Sequence, residues 1–477
     1  MTLPRSWASH AARAPQRTAL EDAEGRHLDY AGLEARSRRA AGRLWAAGLR
    51  PGDRVLSSAA ASLELAVAHV AALRLGLVVV PANTAYRAPE LAHLVADARP
   101  RAAWVDDDAR AAALRTADPE LPVWTPALEL PEGPAPELDS AAAEAPALIG
   151  YTSGTTGRPK GAVLSHANLL AGAEALRQAW QWTPEDRLLL ALPLFHMHGL
   201  GVGLHGTLHA GASARLLPRF EPGEVLRHVS AWPATLFFGV PTMWHRLAEA
   251  RGAEALARLR LCVSGSAPLS AELHARVEAL SGQRILERYG MTETLMLASN
   301  PVEGERRPGT VGLPLPGVEL RLEGGEIQVR GPNVFAGYWE QPEATASAFS
   351  ADGWFRTGDL GERDEAGYLR IVGRAKELVI SGGYNVYPRE VEEALEALPG
   401  VVEAAVVGSP DAEWGELVTA YVAGPAPPAL DALREALAGR LAPYKHPRAL
   451  HVVEALPRNA LGKIQRHRLR EGRVLPE

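Results

Sequence analysis

The chain has 477 residues and 47% hydrophobic content, enough for a large core and, by length, about two to four domains. Its 50 basic and 56 acidic residues leave a net charge of -6 with the signs interspersed, which excludes the basic footprint of a nucleic-acid binder. The single cysteine, Cys262, excludes an intramolecular disulfide framework and a cysteine-based metal cluster; within "RLRLCVSGSAP" it reads as an inert thiol on a buried strand.

No apolar run reaches the ~18 residues of a membrane-spanning helix. The best candidate, "LELAVAHVAALRLGLVVVPAN", is interrupted by Glu64, His69 and Arg74, so no membrane insertion is expected and the cytoplasm is the expected location. The N-terminal stretch carries Arg5, Arg13 and Arg17 without acids, in the manner of a transit peptide, but Pro4 and Pro15 are expected to interrupt any amphipathic helix there.

In chain order, "DRVLSSA" predicts a strand, "LELAVAHVAALRLG" a buried helix, "LVVVPAN" a strand, "APELAHLVADARP" a helix and "AAWVDDD" a strand. That alternation implies parallel sheet covered on both faces. The Pro/Glu/Ala-rich passage "PALELPEGPAPELDSAAAEAP" predicts an exposed connection to the strand "ALIGYTSG", and a second alternating series follows to about residue 300. The pattern then becomes antiparallel. "GVELRLEGGEIQVRG" predicts a hairpin turning at Gly324-Gly325, and "GYLRIVGR" a further strand. Beyond Lys376, "PREVEEALEALPGVVEAAVVGSPD", "ELVTAYVAG" and "ALDALREALAGRLAP" predict a compact C-terminal α/β segment, which puts the expected boundary at 374–377.

"YTSGTTGRPKG", residues 151–161, packs Thr152, Ser153, Thr155 and Thr156 around Gly154 and Gly157 and ends in Lys160. Glycines let backbone N–H groups close on an anion, hydroxyls add donors and the lysine adds charge, so this is a phosphate cradle, though not a P-loop, whose spacing it lacks. "FRTGDL" is expected to hold Asp359 in a tight turn, where it suits either a ribose diol or a plain surface turn. "LPRNALGKIQR" puts Lys463 on a loop, where a solvated lysine would be the bland alternative.

In this order, "YTSGTTGRPKG", "YGMTET", "TGD", "RIVGRAKELVISGGYNVYPREVE" and "PRNALGK" resemble the acyl-adenylate-forming superfamily along essentially the whole chain. The resemblance implies a large N-terminal body, 1–374, of α/β sheets with a small β-barrel-like subdomain, and a mobile α+β C-terminal domain, 375–477, hinged near Lys376. It implies that ATP and a carboxylate give an acyl-adenylate and diphosphate, and that the thiol of CoA then displaces AMP. Thr152, Ser153, Gly154, Thr155, Thr156 and Lys160 would handle the β- and γ-phosphates, and Thr292 the α-phosphate. Glu293 would hold Mg²⁺, Tyr289 would lie by adenine, and Asp359 and Arg374 would bind ribose. Lys463 would bridge carboxylate and α-phosphate. Ser381, Gly382 and Gly383 would meet the thiol after the hinge turns.

Arg288, just before "YGMTE", is the residue a fatty-acid pocket would not tolerate, because an unpaired buried charge costs several kcal/mol (~3–5). With Arg246 after "VPTMWH", it suits a second carboxylate held by forked, charge-assisted hydrogen bonds. His196 and His198 from "LPLFHMHGLG", Ser264 and Ser266 from "VSGSAPLS", and Met291 are further expected lining, with His196 a catalytic candidate and His198 a structural one. These stretches resemble the malonyl-CoA synthetase branch, which implies malonate or methylmalonate as the acid. A short- or medium-chain fatty acyl-CoA synthetase is the nearest rival reading. A carrier-protein-loading adenylating enzyme and a non-catalytic nucleotide-binding protein are more distant ones. In a purely structural role Arg288 would pair with Glu287 or another acid at the lip of the pocket, and Arg246 would lie on a solvated helix face. The sequence is silent on oligomeric state.

Overall fold

The structure, a computed structural model, describes residues 2–472 except 135, 153–158, 412, 439, 460 and 461. Packing divides the chain into two units, Met1–Leu320 with Val329–Phe355, and Arg321–Gln328 with Arg356–Glu477.

The first unit carries two large sheets built by the predicted strand-helix alternation. In one, the parallel strands Pro146–Thr152, Val78–Pro81, Arg54–Ser58, Ala102–Val105 and Val123–Trp124 are extended at one side by the antiparallel strands Lys160–Ser165 and Gly337–Tyr338. Val78–Pro81 and Ala102–Val105 are buried at every position, as strands covered on both faces must be. In the other sheet, Leu286–Tyr289, Leu261–Ser264, Leu236–Gly239, Arg187–Leu190, Ser213–Leu216 and Thr18–Asp22 run parallel in that spatial order.

The helix Leu63–Leu75 is buried on nearly all sides. Ser62 caps its start by accepting from the Leu65 N–H at 3.1 Å, and Gly76, at φ +81°, ends it. Its polar interruptions are matched by partners: Arg74 is bound by Glu34 and, at 2.9 Å, by Asp139, while His69 shares a 2.8 Å hydrogen bond with His205. Among the described residues, no helix is long and apolar enough to cross a membrane. At the N-terminus a helix does form, over Leu3–Arg13. Pro4 sits in its first turn, where the missing N–H has no intrahelical partner to lose, so the expected interruption there does not occur.

The hairpin of Glu319–Glu323 and Glu326–Arg330, whose inner part Arg321–Gln328 belongs to the second unit, turns at Gly324 and Gly325, both at positive φ, as its sequence predicts. Phe355–Arg363 and Leu369–Arg374 complete a four-stranded sheet. The barrel-like subdomain expected here is instead an open sheet, with Glu319–Glu323 and Leu369–Arg374 as its edges. Asp359 likewise lies not in a tight turn but inside the strand Phe355–Arg363, just after Gly358 at φ +70°. Because that strand pairs with Leu369–Arg374 across Asp359 and Arg374, the compact unit begins well before the boundary expected at 374–377.

The C-terminal core follows from simple spacing. Val391 and Leu395 on the helix Pro388–Glu396, and Leu433 and Leu437 on Leu430–Leu437, bury i, i+4 faces against Val406, Val418 and Val422 of the central strands. The opposite strand face, with Ala405, Val407 and Tyr421, packs on Leu456 and Leu469.

Cys262 is fully buried, and burial pushes its thiol up to about 12. A thiolate-selective reagent should therefore leave the native protein unlabelled and titrate one thiol after unfolding; native labelling at neutral pH would show that this strand opens.

Candidate active site

In the first unit, the strands Pro146–Thr152 and Lys160–Ser165 pair with Thr152 opposite Lys160, so the cradle's two ends are held together. Ser153, Gly154, Thr155 and Thr156 lie outside the described residues. A Cβ placed on Gly150 would stand 2.4 Å from the Thr292 methyl, so the absence of a side chain there lets the loop after Tyr289 close on the root of the cradle. Asn333 fixes that loop by donating from Nδ2 to the carbonyls of Thr294 at 2.7 Å and Met296 at 2.8 Å. The Phe335 N–H bonds the Glu293 carbonyl at 2.8 Å.

Glu293 is buried, and Tyr338 Oη donates to its carboxylate at 3.1 Å. Burial and the Glu293 charge both raise the Tyr338 hydroxyl, which keeps it a donor. Lys160 Nζ lies 5.3 Å from the centre of the Tyr338 ring, linking cradle, tyrosine and carboxylate. No group of three His, Cys, Asp or Glu among the described residues could hold a metal alone. A single fixed carboxylate next to a phosphate cradle nevertheless fits Mg²⁺, which takes one or two carboxylates and completes its shell with water and phosphate oxygens.

A second cluster lies at the ends of the adjacent parallel strands Leu261–Ser264 and Leu286–Tyr289. Arg288 is 4% exposed, enters no ion pair among the described residues, and has no hydrogen-bond partner for Nε or Nη2. Burial pulls its guanidinium down to about 9, so it remains charged at neutral pH. The neighbouring Glu287 carboxylate accepts instead from the N–H groups of Leu269 and Gly309, each at 3.1 Å. Arg288 crosses directly over Gly265, where a Cβ would lie 2.4 Å from both its Cζ and its Nε. Ser264 is buried with an unpartnered hydroxyl, and Ser266, at φ +72°, sets its Oγ 3.4 Å from His198 Nδ1.

His198 opens a π-helical turn, His198–Leu204, a wide backbone form often found at functional sites. Its Nε2 also lacks a partner among the described residues, and burial, then the Arg288 charge, hold the imidazole well below its usual range. Burial pushes His196 down to about 4, so both rings are neutral at pH 7. Tyr289 and Met291 stand half-buried beside this cluster on the loop. Arg246 is placed differently from its expected partnership with Arg288. It is about half exposed in the last turn of Pro241–Glu249, over the Phe220 ring and 3.7 Å from Glu221, so one buried guanidinium, not two, marks the cluster.

In the second unit, Arg374 Nε meets the buried Asp359 carboxylate at 2.9 Å. Lys463 lies in their field: burial, then the Arg374 charge, pull its ammonium down to about 8, against the opposing pull of Asp359 and Glu377. Gly382 and Gly383 form the positive-φ turn between Val379–Ser381 and Tyr384–Val386, and the Ser381 hydroxyl is buried without a partner. Lys376 is exposed in the short turn Ala375–Glu377.

Tyr338 and Asn333 escape a reading of the sequence. "GPNVFAGYW" has no periodicity, and Tyr338 reaches Glu293 only because Gly337–Tyr338 pairs with Lys160–Ser165.

The family description of AMP-binding enzymes matches residues 7–339, and that of the AMP-binding enzyme C-terminal domain matches 390–463. The chain belongs to this family of AMP-binding enzymes. It is 39% identical to a malonate–CoA ligase of Arabidopsis thaliana over 68% of this chain and 60% of that relative. The chain thus spans about three fifths of the length of the plant relatives it matches. It is 37% identical to a sulfoacetate–CoA ligase of Cupriavidus necator over 98% of this chain and 97% of the relative. The crystal structure of ATP-bound MatB from Rhodopseudomonas palustris is 42% identical, with a TM-score of 0.92 and 99% of each chain covered.

Gly265→Ala should force Arg288 to move and cost about 1–3 kcal/mol in denaturant unfolding, the usual penalty for overpacking. In an Arg288→Ala background that cost should largely vanish; an undiminished cost would mean that the two residues do not compete for this space.

Proposed function

We propose that this chain is an ATP-dependent acid–thiol ligase that converts malonate, ATP and CoA to malonyl-CoA, AMP and diphosphate through a malonyl-adenylate. The observation that carries the reading is the buried Arg288 guanidinium, unpartnered at Nε and Nη2 beside the hydroxyls of Ser264 and Ser266 and the neutral His198. A second carboxylate on the substrate completes that set, whereas a fatty acyl chain leaves the charge uncompensated at a cost of several kcal/mol (~3–5). The names of two relatives lend support, since malonate and sulfoacetate both carry a second anion beside the reacting carboxylate. Methylmalonate is accepted too, because one methyl changes binding by only about 1–3 kcal/mol.

In this reading, a malonate carboxylate oxygen attacks the α-phosphorus, the bond to the β-phosphate breaks and diphosphate leaves. The thiol sulfur then bonds to the acyl carbon, its proton is lost, and AMP departs as the C–O bond breaks. The cradle 152–160 holds the β- and γ-phosphates, Thr292 the α-phosphate, Tyr289 the adenine, and Asp359 and Arg374 the ribose. Glu293, oriented by Tyr338, would hold Mg²⁺, which supplies charge neutralisation at the phosphates. Met291 and His196 line the acyl end. Lys463 bridges the two anions that must meet in the first step. Lys376 is the hinge that exchanges Lys463 for Ser381, Gly382 and Gly383 before the second.

The defining experiment is CoA- and ATP-dependent AMP formation with malonate, methylmalonate, succinate, acetate, butyrate and octanoate. The three-carbon diacids are expected to lead; a lead for butyrate or octanoate would refute the malonate reading. Arg288→Ala should raise the KM for malonate about thirtyfold or more, from the ~2–5 kcal/mol that losing one partner of a desolvated charge pair costs, and change that for ATP far less.

Lys463 must be protonated to bridge two anions, and its ammonium is held down to about 8. Since the proton leaves as pH rises, kcat/KM for adenylation should fall above about pH 8. Lys463→Ala should lose diphosphate release, and this alkaline limb with it, yet form thioester from supplied acyl-adenylate. A limb that survives in Lys463→Ala would belong to another group.

A further inference from the structure

We infer that Arg466 is a charge guard for Lys463: by holding the carboxylate of Glu377 it keeps the lysine ammonium unpaired, and so free for the anions of adenylation. The inference rests on the role proposed above for Lys463.

Lys463 sits on a tight loop, its N–H bonded to Asn459 Oδ1 at 3.0 Å and its carbonyl accepting from the Asn459 N–H at 2.9 Å. The loop is closed by a bridge between Arg458 and Ile464. Lys463 is half-buried, yet its ammonium enters no ion pair among the described residues. That is unusual, since a buried lysine near acids gains by pairing with one.

Two carboxylates, Asp359 and Glu377, act on this ammonium through their charge. Each is already held by an arginine. Arg374 Nε takes Asp359 at 2.9 Å, and Arg466 Nη1 faces Glu377 at 3.6 Å. Arg466 is itself fixed from its other end: Nη2 donates to both carboxylate oxygens of Glu392, at 2.6 and 2.7 Å. Glu392 is 1% exposed on the helix Pro388–Glu396 and also accepts from the Val406 N–H at 2.8 Å.

The guard is tied to what it guards by three residues of chain. Arg466 begins the helix Arg466–Arg470, which Leu469 anchors in the core with its carbonyl accepting from Tyr421 Oη at 2.9 Å. An arginine suits the task because it is always charged and its fork serves two acids at once. Without it, Glu377 is the uncompensated acid beside Lys463. Arg466 is thus a positioning residue, acting on the reaction only through the charge state and freedom of Lys463.

The test is Arg466→Gln, read in each half-reaction. Carboxylate-dependent diphosphate release should fall about tenfold or more, while thioester formation from supplied acyl-adenylate stays within about twofold. The titration midpoint of Lys463, followed by the pH dependence of its reaction with an amine reagent and peptide mass spectrometry, should rise by about one unit as the lysine gains an acid partner. Adding Glu377→Gln removes that partner and should restore most of the lost adenylation. Equal losses in both half-reactions, an unmoved titration, or a double variant no better than the single one would overturn the inference. If Arg466→Gln fails to fold because Glu392 is left buried and unpaired, Arg466→Gln/Glu392→Gln removes both halves of the clamp and carries the same readouts. Full adenylation by Lys463→Ala would defeat the role proposed for the lysine, while the titration would still decide whether Arg466 guards it.

Discussion

Arg288 sits in the first unit as a buried positive charge with no acid paired to it among the described residues, and its neighbours are arranged around what that charge tolerates. Glu287, the preceding strand residue, commits its carboxylate to the N–H groups of Leu269 and Gly309. Burial keeps His198 and His196 neutral, and the Arg288 charge adds to it at His198. Gly265 gives up its side chain to let the guanidinium pass. Such an arrangement costs stability unless a ligand anion completes it, and strain of this kind is characteristic of sites shaped for a ligand.

The second unit reaches a similar end by different means. Around Lys463 the acids are present, but arginines hold them: Asp359 by Arg374 and Glu377 by Arg466. In both units the acids of the neighbourhood are engaged elsewhere, Glu287 by backbone N–H groups and Asp359 and Glu377 by arginines. Both leave a positive charge of low hydration ready for an anion, which is what the ligase reaction proposed above demands.

Much of this was legible in the sequence wherever local pattern decides structure. The buried strands, the helix Leu63–Leu75 and the Gly324-Gly325 hairpin follow from periodicity and turn chemistry, and the residues around Arg288 and Lys463 stand in motifs with an evident chemical purpose. Pairings remote in sequence were not legible. Asp359 was expected in a turn because "TGD" has turn composition, yet its strand is fixed by Leu369–Arg374, and the same pairing leaves an open sheet where a barrel was expected. Arg246 was expected beside Arg288, but the amphipathic helix Pro241–Glu249 turns it to the surface, where Glu221 and Phe220 meet it. Tyr338 and Arg466 act through partners 45 and 74 residues away, separations that no local pattern encodes.

The crossing of Arg288 over Gly265 also orders any history of change at this cluster. While the guanidinium stays in this place, a side chain added at 265 meets it, so one of the two must shift. A change at 265 therefore costs least once the arginine has been lost. Once a side chain has settled there, restoring the arginine alone fails, because the space it needs has been filled. The two positions are thus coupled through shared space, and the cost of a change at 265 depends on whether Arg288 is still present.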